Sequence, residues 1–323
     1  MDRRTREWLW WEIAAVLAVV AVVAAVLVVV TRGGGTTPAA PPTSGSATKS
    51  TTALTRPALA VKIDNVPAAL PQTGLGAASV VYVEPVEGGL TRLVAVYTGT
   101  LPSVIGPVRS ARRTDIELLG QYGKPILAYS GAAPELLPAL HAAELVNATP
   151  AQTAGAYYRD GDRPAPHNLY VRPADLPGSA EGPAVAALRF GPAPAGGVPA
   201  VTDDVRYRAT EFGFTWSAPT ARWFVSMNRV PLTSTDSGRV TASTVVFQGV
   251  GITTNEPIED AHGTVSPVAH TVGSGPAIVL RDGHRHTGTW SRPTAQSPTV
   301  FHTADGQDLP LAPGPVWVML TPA

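Results

Sequence analysis

Three arginines fall within five residues in the stretch "GPVRSARRTD", Gly106 to Asp115, where a helix is expected to start. A helix N-terminus carries partial positive charge, so cations placed there call for a negative partner. Residues three and four apart lie on one side of a helix, which groups Arg109, Arg112 and Arg113. With Ser110 as N-cap, Arg109 sits just ahead of the helix and the other two fall in its first turn. Guanidinium forks and free backbone N–H groups there would hold a phosphate or carboxylate. Arg92, Ser110, His167 and Asn168 complete the candidate ligand-binding set. The same charges admit an intramolecular solution, in which Glu84 or Glu87, with Asp64 and Asp115, neutralises the arginines in a buried ion-pair network. Residue types alone leave both open.

His167 and Asn168 stand in "PAPHNLY", a loop stiffened by Pro164 and Pro166. A rigid loop holds a side chain in one aim, and His167 suits either a general base or an anion ligand. As an ordinary loop histidine it would instead hydrogen-bond nearby carbonyls. Acid–base chemistry would pair it with Asp64 or Glu87, so His167, Asp64 and Glu87 are the candidate catalytic residues. Serine chemistry has little support: Ser110 and Ser130 stand in "PVRSARR" and "LAYSGAA", neither of which is a G-x-S-x-G elbow. His284 and His286 share a strand face but lack a third ligand at metal-binding spacing, so no metal is expected. No nucleotide-binding glycine motif occurs, so no cofactor is expected. Trp216, Trp223, Trp290 and Trp317 lie in expected strands, where core packing is their default role.

Composition narrows the class of protein. Lys and Arg number 24 and Asp and Glu 24, so the net charge is zero and no overall field favours nucleic acid. Gly (31) and Pro (32) are abundant and charged residues are 15%, which suits short elements joined by many loops. There is no cysteine, hence no disulfide framework, thiol nucleophile, Cys-ligated zinc or cysteine-borne lipid. Ile13 to Val30 are eighteen uninterrupted apolar residues, extended by Leu9, Trp10 and Trp11, and read as a transmembrane anchor over 9–31. Arg3, Arg4 and Arg6 precede the span, which keeps residues 1–8 in the cytoplasm and exports the rest. A cleaved signal peptide is the alternative, but "VVVTRGGG" offers no small-residue cleavage site. The Gly, Pro, Ser and Thr-rich stretch 32–55 reads as a flexible linker.

The elements that position the candidate residues follow from hydrophobic periodicity. "ALAVKID" reads as a strand ending at Asp64. "SVVYVEPV" and "LTRLVAVYTG" flank "EGG" and read as a hairpin turning at Gly88 and Gly89. A helix is expected after Ser110, stopped by Gly120 and Gly123, then a strand at "PILAYSG" and a helix at "PELLPALHAAEL". Beyond a Pro- and Gly-rich boundary near 177–200 come short alternating segments, with Asp282-Gly283 as a strong hairpin signal.

The motifs "RPALAVKIDN", "PQTGLGAASVVYVEPVEGGLTRLVAVY", "IGPVRSARRTD" and "RPAPHNLYV", with "GSGPAIVLRDG" and "GTWSR" near the end, resemble the YerB-like family of bacterial envelope proteins. The resemblance runs from about residue 56 to 323. It implies an exported, membrane-attached protein with two domains of unassigned function, and it adds weight to the His167-Asn168 pair. Many such relatives are lipoproteins, and they place a Glu directly after the hairpin Tyr; here Val83 intervenes before Glu84.

The expected fold class is α+β: a mixed α/β domain over 56–184, then a mainly antiparallel β domain over 185–323, preceded by a single transmembrane helix. The expected protein is a single-pass envelope protein, leaning non-catalytic. It would bind an anionic envelope ligand or protein partner, with no nucleic acid. An envelope hydrolase or transferase using His167 with Asp64 or Glu87 is the alternative.

Overall fold

Short, β-branched and aromatic segments dominate the chain, and most of them pair into one sheet. The computed structural model describes residues 57–177, 187–255, 258 and 263–323. All of these belong to one compact unit, Thr52–Ala323. The first part contributes β1 (Leu59–Ile63), β2 (Val80–Pro85), β3 (Thr91–Tyr97), β4 (Ile126–Ala128) and β5 (Val146–Ala148). β6 (Tyr157–Arg159) and β7 (Leu169–Val171) form a separate ribbon. β8 (Thr202–Arg206), β9 (Glu211–Ser217) and β10 (Arg222–Met227) build a small antiparallel sheet.

The last part supplies β11 (Thr244–Thr253), β12 (Val268–His270), β13 (Gly273–Arg281), β14 (His284–Arg292), β15 (Val300–Thr303) and β16 (Val316–Pro322). Ten strands of the main twelve-stranded sheet run in the order β15-β14-β13-β11-β16-β2-β3-β1-β4-β5; β12 pairs with β11 and the short strand Val198–Pro199 with β14. β16 is its keystone. It lies parallel to both neighbours, with Val316 opposite Thr244 of β11 and Val80 of β2. The last strand of the chain therefore joins the two halves into one sheet.

Each face of that sheet is covered. Val61, Val81 and Trp317 pack with Phe212 and Trp223 of the small sheet, while Ala60, Tyr82 and Val318 pack with Leu118 and Leu140 of the two helices. Strands buried on both faces carry continuous apolar runs rather than clean alternation, which is why "LAVKI" of β1 is buried throughout. Both expected hairpins form. β2 pairs with β3 around Gly88 and Gly89, and β13 with β14 around Asp282 and Gly283, all four at positive φ.

The expected α+β architecture is corrected to a mainly β one. Among the described residues only α1 (Arg113–Leu119) and α2 (Leu137–Ala142) are α-helical, seven and six residues long. Gly120 ends α1, and "PEL" is spent on a 3₁₀ turn, Pro134–Leu136, before α2 begins. The transmembrane helix expected over 9–31 lies outside the described residues, as do residues 1–8 and 32–55. Among the described residues no helix is long and apolar enough to cross a membrane, so that expectation has no support.

Trp317 is almost fully buried at the junction of the two halves. Trp317→Ala should cost about 3–5 kcal/mol in denaturant unfolding and keep a single transition. A loss under about 1 kcal/mol would show that β16 does not bind the halves together.

Candidate functional site

Alternation along β1 places Ala60, Lys62 and Asp64 on the sheet face that α1 covers. Pairing sets Glu84 of β2 opposite Arg92 of β3 on this face. The segment after Gly106 then runs along the end of β1. Asp64 N–H donates to the Pro107 carbonyl at 2.8 Å, and Arg109 N–H to the Lys62 carbonyl at 2.9 Å. This is how "GPVRSARR" comes to lie beside "VKID".

Asp64 is fully buried, and both its oxygens are engaged. Oδ2 accepts from His167 Nδ1 at 2.7 Å and lies 3.3 Å from Arg109 Nε. Oδ1 lies 3.5 Å from Arg92 Nη1 and accepts the Val66 N–H at 3.4 Å. A carboxylate only accepts, so the contact places the ring proton on Nδ1 and leaves Nε2 for other partners. Arg112 is committed differently. Its Nε and Nη2 lie 2.7 Å from the two Glu87 oxygens, and Nη1 donates to the Ser110 and Ala111 carbonyls. Burial alone would raise the Glu87 carboxyl, but the hydrogen bonds and charge of Arg112 together hold it below its usual value.

Glu87, Arg92, Arg109, Ser110, Arg112 and His167 all line one open cleft of about 910 Å³, within the size range of small-ligand sites. Apolar walls come from Val66, Leu90, Ala133 and Leu136. Side-chain exposure separates the basic residues: 23% for Arg109 and 21% for His167, against 14% for Arg112 and 6% for Arg92. Arg109 and His167 are thus the two of these side chains most open to solvent at the cleft. Among the described residues, neither the Arg109 Nη groups nor His167 Nε2 has a hydrogen-bond partner.

Three candidate residues do something other than expected. Ser110 is not the N-cap; the helix begins two residues later, with Arg112 as the cap and its N–H bonded to Asp115 Oδ2 at 2.7 Å. A carboxylate at N3 supplied the cap that Ser110 was expected to give. Arg113 lines a separate cleft of about 410 Å³ with Glu117, Glu144 and His270. Asn168 is buried as a loop brace, donating to the Asp160 and Arg163 carbonyls and accepting from Arg159. One charged residue was missed, Lys62, fully buried between Glu84 and Asp115. A lone lysine in an otherwise apolar strand was the available signal. Among the described residues no group of three or more His, Asp or Glu is arranged to hold a metal.

Comparison with known proteins places this architecture. Residues 43–185 match the N-terminal domain, and 203–318 the C-terminal domain, of the protein family of unknown function DUF3048. YerB of Bacillus subtilis, which its name proposes to be a lipoprotein, is 33% identical over 129 residues. That match spans 39% of this chain and 38% of the relative. The crystal structure of the Bacillus subtilis YerB protein superimposes with a TM-score of 0.71 at 20% identity, covering 84% of this chain and 93% of that one. At that identity the likeness establishes a shared fold.

The depressed Glu87 carboxyl gives a pH test. The folded state binds this proton less tightly than the unfolded chain, so the stability it contributes is present above the ordinary carboxylate value and lost as pH falls through the lower folded one. Glu87→Gln should flatten the acid-side fall in melting temperature below about pH 4.5. Parallel acid limbs in the two proteins would show that the pair with Arg112 carries no such linkage.

Proposed function

Because the chain belongs to the DUF3048 family, with both its N- and C-terminal domains, we propose that it is an extracytoplasmic envelope protein whose cleft binds one anionic group through Arg109 and His167. The envelope placement draws on a relative named as a lipoprotein. The binding reading draws on one observation: Arg109 and His167 meet on the same Asp64 oxygen, and both line the open cleft. Sharing Oδ2 holds the two cationic groups side by side before any ligand arrives, which lowers the ordering cost of binding. A guanidinium edge favours phosphate or carboxylate, and the His167 ring beside it adds a second donor whenever Nε2 carries a proton. Arg112 is already paired with Glu87 and serves as a wall of the site.

A second reading rests on the same Asp64–His167 contact. A carboxylate that fixes Nδ1–H leaves Nε2 as a base, the arrangement an envelope hydrolase or transferase would use. Glu87 does not fit as the acid partner, because Arg112 holds it ionised.

Inorganic phosphate titrated into the purified full chain separates these readings. Arg109→Ala should weaken phosphate binding about tenfold or more, the worth of a charged hydrogen bond, and added salt should weaken it further. Should Arg109→Ala lower only the melting temperature, the ion pairs are structural and the binding proposal fails. Turnover of wall material that disappears in His167→Ala would favour the catalytic reading.

A further inference from the structure

Lys62, Glu84 and Asp115 form a closed cluster that anion binding does not use. All three side chains are fully buried. Lys62 Nζ donates to Asp115 Oδ1 at 3.0 Å and to Glu84 Oε1. Asp115 Oδ2 accepts the Arg112 N–H at 2.7 Å, and Glu84 Oε2 has no hydrogen-bond partner among the described residues. Burying a lysine with two carboxylates carries a desolvation cost that a well-packed apolar trio would not. Chemistry between the groups is a reason to keep them.

We propose that Lys62 and Asp115 join in an intramolecular isopeptide bond, with Glu84 carrying the protons. Glu84 first passes one proton from the Lys62 ammonium to Asp115 Oδ1, leaving a free amine facing a carboxylic acid. The amine lone pair attacks Asp115 Cγ, and the negative charge that develops on Oδ2 is held by the Arg112 N–H. Glu84 then moves a second proton from the new C–N nitrogen to Oδ1. The Cγ–Oδ1 bond breaks and Oδ1 departs as water. One hydrogen stays on the amide nitrogen, Oδ2 becomes the amide carbonyl and Glu84 returns to its starting form. No oxidant or other reactant is consumed.

Geometry selects Asp115 over Glu84 as the acyl partner. Asp115 alone has its second oxygen on a backbone donor, and that contact survives when Oδ2 becomes a carbonyl. Burial and the neighbouring Asp115 push the Glu84 carboxyl up to about 7 against the pull of Lys62, which suits a group that takes and returns a proton near neutrality. The product replaces two buried charges by one neutral amide, which is cheaper to keep from water. It would also tie β1 to α1 in a chain that has no cysteine to form a disulfide.

Mass spectrometry of the denatured full chain tests this directly. The chain should be lighter than its sequence by one water, and proteolysis should give a branched peptide joining the Lys62 segment to the Asp115 segment. Glu84→Gln should restore the missing water and abolish the branch. A native chain at its full sequence mass overturns the proposal, whether or not the variant folds. A branch mapped to Glu84 or to any residue other than Asp115 overturns it equally.

Discussion

One buried oxygen, Oδ2 of Asp64, organises the cleft of this molecule. It draws in His167 from the proline-rich loop and Arg109 from the segment beyond Gly106, while Oδ1 faces Arg92 of β3. Four stretches far apart in sequence therefore meet at the end of β1. A carboxylate so enclosed is tolerable only because cations surround it, and removing any partner would leave charge uncompensated. The same economy explains why the cations remain in place beside an open cleft. They are paired with Asp64 and Glu87, and Arg109 and His167 also line the cleft.

Adjacent to this junction lies a second, drier set of charges. Lys62 sits two residues before Asp64 on the same strand face, and Asp115 caps α1 through the Arg112 N–H. Arg112 thus touches both groups: its side chain grips Glu87, and its backbone grips Asp115. A cross-link between Lys62 and Asp115 would fix the start of α1 against β1 and, through Arg112, one wall of the cleft. The keystone strand β16 does comparable work at larger scale, making a rigid support from the two halves of the chain.

Much of the site was legible because charge is conspicuous in a sequence with few charged residues. The arginine cluster, His167, Asp64 and Glu87 could be singled out, and the open question was which carboxylate answers which arginine. Pairing decides it, and pairing depends on strand register, which no residue count supplies. Ser110 misled because serine is a common N-cap, whereas here the carboxylate three residues into the chain beyond Arg112 wins the backbone N–H. Arg113 lines another cleft, at the first residue of a helix that starts two residues later than expected. The fold class erred for a related reason: apolar runs after Ser110 and at "PELLPALHAAEL" read as full helices, yet glycine and proline cut each to under two turns. Lys62 was hidden by a strand that is buried on both faces, where a lysine has no obvious place until its two carboxylates are seen.

Anion binding at this cleft depends on Arg109 and His167 acting as a pair held by Asp64. Nitrogen-detected NMR of the ¹⁵N-labelled chain during a phosphate titration reads that pair most directly. The His167 Nε2 and Arg109 Nη resonances should move together with phosphate, while His167 Nδ1 keeps its bond to Asp64 and the Arg112 guanidinium stays still. Unmoved Arg109 and His167 resonances at saturating phosphate would contradict it, and so would a response confined to Arg113 in the neighbouring cleft.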